Sequence, residues 1–212
     1  MKKYIAEFIG TFALVFCGTG AIIVNEQSNG SLGLIGIALV FGIIISAMIY
    51  VFGNSSGAHI NPSVTIALVI GKLMTKKEAS FYILAQIFGA ILASRLLRFT
   101  FPKSLTLGTT IPTGDLLQSF ILEFVLTFFL MLTILAITSK KEFSNMAGLI
   151  IGLVVTGIIL FAGPISGGSF NPARSLAPAI VSVNFTALWI YITAPTSGAI
   201  AAMLTWKTFS RI

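Results

Sequence analysis

The chain has 212 residues, 56% of them hydrophobic and 9% charged, with a mean hydropathy of +1.01, which excludes an ordinary soluble domain. Its net charge of +7 comes from Lys and Arg scattered singly or in pairs between apolar stretches, so no basic stripe with interleaved aromatics points to nucleic acid. The single cysteine, Cys17, can form no intramolecular disulfide, and without a Cys-His cluster no metal site or cofactor is expected.

Taken in order, six apolar runs are long enough to cross a hydrocarbon core of roughly 30 Å, which needs about 20 helical residues. They cover 4–24, 32–52, 79–97, 116–138, 145–163 and 187–206. The first imitates a signal peptide, but it is too long and lacks a small-x-small cleavage site, so it is expected to stay as a span. Continuous rather than alternating hydrophobicity argues against barrel strands. With both termini inside, the cytoplasmic positives are Lys2, Lys3, Lys72, Lys76, Lys77, Lys140, Lys141, Lys207 and Arg211, against Arg95, Arg98, Lys103 and Arg174 outside. That excess favours cytoplasmic N- and C-termini. Compactness and the lack of targeting extensions suggest a prokaryotic inner membrane.

Two matching polar interruptions fall between the spans. SGAHINPSVTIAL starts at Ser56 and SGGSFNPARSLAP at Ser166, and Asn61 and Asn171 stand 110 residues apart. Pro62 and Pro172 suit the first helical position, where no amide donor is needed, and Asn caps well before it. Short helices are expected over 63–70 and 173–181, roughly ten residues or about 15 Å each, half a membrane. The Gly-rich stretches 55–57 and 163–168 allow a sharp bend ahead of them. Irregular backbone at that depth is tolerated only when buried in protein or lining a water-filled path.

The starts of the two halves also correspond. AEFIGTFALVF from Ala6 and LEFVLTFFLML from Leu122 share Glu, Phe, Thr, Phe and Leu at equal offsets. Three spans per repeat turn the second half upside down relative to the first, an inverted repeat. The expected fold is an all-α membrane protein with six transmembrane helices and two re-entrant half-helices. It forms a single channel domain, 1–212, with repeats at about 1–100 and 116–212. The half-helices then meet head to head, and their positive dipole ends raise the barrier to any cation between them. Asn61 and Asn171, if not consumed in capping, donate hydrogen bonds into the same spot. A path for neutral hydrogen-bonding molecules that refuses ions follows.

Other residues admit more than one reading. Glu7 and Glu123 are apolar-run acids at matching positions, able to hold the re-entrant loops or to couple protons in a secondary transporter, the alternative function. Arg174 is costly in apolar surroundings unless paired or facing water. His59 either packs or lines the path. Gln86 is expected to bond a neighbouring helix or loop, and Pro195 to kink its helix. No catalytic constellation or phosphate loop stands out, so neither an enzyme nor an ATP-driven pump is expected.

These residues, from the six spans to the doubled Asn-Pro motif with Arg174 two positions after Pro172, resemble the aquaporin, or major intrinsic protein, family over nearly the whole chain. The loop wording is similar to the nodulin-26-like branch and related microbial channels. One departure is Ser63, where the family usually has Ala; the matching residue of the second motif is Ala173. The resemblance implies a homotetramer in the membrane lipid, with one passive pore per subunit. It also implies that Glu7 and Glu123 accept hydrogen bonds from the loops, and that Gly57, Ala58, Gly167 and Ser169 offer backbone carbonyls to the solute path, which the loop position of His59 lets it line as well. Carried over by ungapped spacing, its selectivity filter falls on Phe41, Ile159, Gly168 and Arg174. Strictly water-selective members usually place His where Ile159 stands. Ile159 and Gly168 therefore imply a wider, less polar opening, for glycerol, ammonia or metalloid acids as well as water, while Phe41 keeps it from being fully open.

Overall fold

The computed structural model describes residues 1–140 and 142–210, which leaves the charges Lys141 and Arg211 outside the described residues. Six long helices are apolar enough to cross a membrane: α1 (Lys2–Gln27), α2 (Gly33–Ser56), α4 (Lys76–Thr100), α5 (Leu116–Ser139), α6 (Ala147–Ser166) and α8 (Leu188–Phe209). Two short ones, α3 (Pro62–Ile70) and α7 (Pro172–Ser182), stand between them, and a 3-10 turn (Ser144–Met146) precedes α6. The long helices have 20 to 26 residues, or about 30 to 39 Å at 1.5 Å per residue, enough for a hydrocarbon core. The fold is thus all-helical, six spans plus two half-length helices.

Local chemistry fixes the ends. Thr75 caps α4 by accepting from Glu78 N, and Asp115 caps α5 from Gln118 N. α2 and α6 both stop at a glycine with positive φ, Gly57 at 85° and Gly167 at 84°. The sequence places the bends earlier, over 55–57 and 163–168, but Ser55, Ser56 and the stretch 163–166 are still helical. Pro164 sits inside α6 without ending it. Asn145 belongs to the 3-10 turn and Ala187 precedes α8, so those two spans start slightly later than expected.

Packing pairs α1 with α4 and α2, and α5 with α8 and α6, while α2 and α6 join the halves. Close crossings rest on missing side chains. A methyl group on Gly42 would lie 2.6 Å from the Gly152 carbonyl, and one on Gly152 would lie 2.5 Å from the Gly42 carbonyl. The short helices exchange sides: α3 packs chiefly on α8, and α7 chiefly on α4. This exchange brings the N-termini of α3 and α7 together in the interior.

Candidate functional site

The two Asn-Pro junctions meet through reciprocal bonds. Each Asn caps its helix with Oδ1: Asn61 accepts from Ser63 N at 2.9 Å and Asn171 from Ala173 N at 3.0 Å. Each Nδ2 crosses to the other loop, Asn61 to the Phe170 carbonyl and Asn171 to the Ile60 carbonyl, both at 2.8 Å. An amide nitrogen carries two hydrogens. Capping therefore consumes the oxygen, the cross-bond consumes one hydrogen, and a second N–H remains on each residue. Both residues line one cavity of about 460 Å³.

The loops before these junctions hold an unusual backbone. Ala58 and Ile60 in the first, and Phe170 in the second, take φ of 46°, 42° and 54°. Such a conformation costs a non-glycine residue about 1–3 kcal/mol and needs outside support. Two buried carboxylates supply it. Glu7 accepts from Ser56 Oγ (2.7 Å), His59 N (2.9 Å), Ile60 N (2.7 Å) and Gln86 Nε2 (2.8 Å). Glu123 accepts from Ser166 Oγ (2.8 Å), Ser169 N (2.8 Å) and Phe170 N (2.7 Å). Tyr82 and Tyr191 donate to the carbonyls of Ser56 and Ser166, finishing each turn from a neighbouring helix.

A constriction forms beside the second junction. The Arg174 guanidinium lies over the Phe41 ring at 5.3 Å from its centre, within cation–π range. Arg174 Nη1 donates to the Gly108 carbonyl at 2.7 Å, while its Nε has no partner among the described residues. Phe41 is seated against Gly18, where a methyl group would come within 2.2 Å of the ring. Ile159 completes the wall, and a methyl group on Gly168 would reach 3.6 Å from it. Behind Arg174, Thr110 Oγ1 donates to Ser175 Oγ (2.7 Å), which is 2.5 Å from Ser169 Oγ.

Of the residues expected to line a path, Phe41, Gly57, Ala58, His59, Asn61, Ile159, Ser169, Asn171 and Arg174 border the cavity. Gly167 and Gly168 do not. Gly167 packs under the connection between α4 and α5, with Thr110 and Ile111 at 3.3 Å from a methyl group built there, and Gly168 packs against Ile159 and Gly163. Pro62, Ser63, Pro172 and Ala173 are buried in the first turns of α3 and α7, with Ser63 Oγ 3.2 Å from Thr196 Oγ1. His59 both lines the cavity and engages Thr65 through Nδ1 (3.1 Å). Gln86 donates to Glu7 and to Thr65. Neither Glu7 nor Glu123 borders the cavity. Sequence reasoning missed the part of the 101–115 connection, whose contacts run through a backbone carbonyl and a threonine with no distinguishing pattern. It also missed the apolar wall from α2, α5 and α6, including Ile45, Ile49, Leu130, Ile134 and Val155.

Comparison with known proteins gives concordant matches. The family described as Major intrinsic protein matches residues 1–206. Aquaporin NIP1-1 of Zea mays is 40% identical over 203 residues, spanning 95% of this chain and 72% of its own length. Aquaporin NIP2-1 of Arabidopsis thaliana is 41% identical over 222 residues, spanning 100% and 76%. Nodulin-26 of Glycine max is 39% identical over 203 residues, spanning 95% and 75%. Among solved structures, the aquaglyceroporin from Plasmodium falciparum has the same fold, with a TM-score of 0.88 at 24% identity over 97% of this chain and 94% of that one. The three sequence relatives are plant proteins and give the expected prokaryotic membrane no support.

Proposed function

Since the chain belongs to the major intrinsic protein family, within its nodulin-26-like branch, we propose that its pore carries glycerol, ammonia or metalloid acids such as arsenous or boric acid beside water. The chain is an integral multi-pass membrane channel for water and small neutral solutes, not an enzyme. Flow through it is passive and excludes ions and protons. The observation that carries this reading is the pair of cross-bonded asparagines, each keeping one amide N–H at a cavity where two helix N-termini meet. Fixed donors and positive dipole ends favour a lone-pair donor such as water and oppose a cation.

Phe41, Ile159, Gly168 and Arg174 act as the selectivity filter. Phe41 and Ile159 are apolar walls, Gly168 stands behind Ile159 without bordering the cavity, and Arg174 supplies the hydrogen bonds and the charge that repels cations. Arg174 borders the cavity, where its guanidinium can offer charge-assisted hydrogen bonds to a solute oxygen. Glu7 and Glu123 are loop-holding acids. A proton-coupled transporter would need one of them free and facing the path, whereas each is filled by three or four donors away from the cavity.

The termini lie on the cytoplasmic side, as the charge distribution favours. The protein assembles as a homotetramer, and light scattering should give a mass four times the 22.5 kDa of one chain. Proteoliposome swelling tests the central reading. Water, glycerol, ammonia and arsenous acid should permeate without saturation and regardless of a proton gradient. Uphill accumulation driven by pH overturns the channel mechanism, and water flux alone overturns the broad filter.

A further inference from the structure

The outer face of α4 carries a stripe of large exposed apolar side chains, Phe81, Leu84, Phe88, Leu92 and Phe99. Arg95 stands in that stripe and is itself exposed. It has no hydrogen-bond, ion-pair or ring partner among the described residues. Its neighbour Arg98, by contrast, is turned to the Ser104 carbonyl. Counting from the middle of α4 near Phe88, Arg95 lies seven residues on, or about 10 Å along the axis. A long side chain that snorkels outward puts its guanidinium near the edge of a half-core of about 15 Å. A bare cation there is costly without an anion.

A groove leads from Arg95 toward the membrane centre. It is lined by Phe8 of α1 and by Ala85, Phe88, Ile91, Leu92 and Arg95 of α4. The two helices cross closely beside it, where a methyl group on Gly89 would lie 2.2 Å from the Phe8 carbonyl. The small side chain of Ala85 opens its deep end. From Ala85 to Arg95 the helix rises about 15 Å, the depth of one leaflet.

We propose that this groove binds one anionic phospholipid of the leaflet on the side of the 101–115 connection. Its phosphate sits on the Arg95 guanidinium and an acyl chain lies over Phe88 and Ala85 against Phe8. A guanidinium fork matches phosphate oxygens in pairs, and the apolar stripe covers the chain. A second copy of the protein fits less well, because the acids at this end are engaged. Glu26 accepts from the Thr106 hydroxyl and Asp115 caps α5. Glu78, bonded to Lys3, and Glu142 lie at the opposite end.

The test uses the full chain in detergent with added phosphatidylglycerol or phosphatidylcholine, read by native mass spectrometry. Wild type should retain phosphatidylglycerol in preference, and Arg95→Gln should weaken that retention by about tenfold. Ala85→Phe, which keeps the charge but fills the deep end, should weaken it comparably. Water flux should match wild type in both, since neither residue borders the pore cavity. Without lipid, Arg95→Gln should unfold at the wild-type midpoint, having lost no protein partner; a lower midpoint overturns the proposal. Equal retention in wild type and Arg95→Gln leaves only general annular lipid and overturns it. Loss in Arg95→Gln but not in Ala85→Phe overturns the groove, and dissociation of the assembly without lipid loss assigns the face to a second copy instead.

Discussion

The two halves build the same turn from different partners. In the first, Glu7 is reached by a fourth donor, Gln86, which also donates to Thr65, and Thr65 meets His59. In the second, Pro195 stands where Gln86 stood, 109 residues on just as Tyr191 follows Tyr82. Glu123 accordingly receives no donor from that helix. Support comes instead from the connection between α4 and α5, through Thr110 on Ser175 and the Gly108 carbonyl on Arg174. The residue 110 positions before Arg174 is Val64, and that before Ile159 is Ile49; both line the cavity. Duplication therefore preserved the frame that holds the asparagines, while the chemistry beside it diverged. On this account the first half is braced from within the bundle and lends only Phe41 to the filter, while the second supplies the rest of it and is braced by a loop.

The largest expected effects strike what the halves share. Glu7→Ala removes the acceptor of four donors and Glu123→Ala that of three, leaving unpaired at least the two loop amides that each holds. At about 1–3 kcal/mol for each buried unpaired group, either change costs on the order of 3 kcal/mol or more, a large part of ordinary domain stability. Unfolding midpoints in detergent should drop for both, further for Glu7→Ala, and unchanged midpoints would dismiss the acids as loop anchors. Next comes Arg174→Ala, which removes the fixed charge of the constriction. Cation leak in liposomes should rise about tenfold, equivalent to about 1.4 kcal/mol of barrier. Val64→Ala, its counterpart, should leave ion exclusion intact. A smaller contrast separates the two braces. Thr65→Val loses contacts to His59, Gln86 and the Asn61 carbonyl, whereas Thr110→Val loses one hydroxyl bond, so about 1 kcal/mol is expected for the latter and more for the former. Equal melting shifts would contradict the difference in bracing.

How much of this could be read from the residues varies with the range of the interaction. The spans and half-helices follow from apolar runs and from Pro at a first helical position, signals local to a few residues. The pairing of Glu7 with Glu123 shows in the sequence because the repeat preserves both offsets. Bend positions were less legible: Pro164 and Ser55 remain helical because packing continues each helix to the glycine whose positive φ can end it. The resemblance assigns Gly167 to the path and spacing assigns Gly168 to the filter, yet neither borders the cavity: Gly167 packs beneath the 101–115 connection and Gly168 against Ile159 and Gly163. Gly18 and Gly108 were silent, since seating a ring and offering a carbonyl leave no pattern in a glycine. The reciprocal asparagine bonds required knowledge of which carbonyls the loops present.

The most direct measurement applies one substitution at both symmetry-related positions. Ile159→His should cut glycerol and arsenous acid flux by about tenfold or more while water continues to pass, because a pocket contact of this size is worth about 1–3 kcal/mol of discrimination. Ile49→His, in the other half, should leave the order of solutes unchanged. Equal loss of glycerol from both variants, or none from Ile159→His, would contradict a filter confined to the second junction.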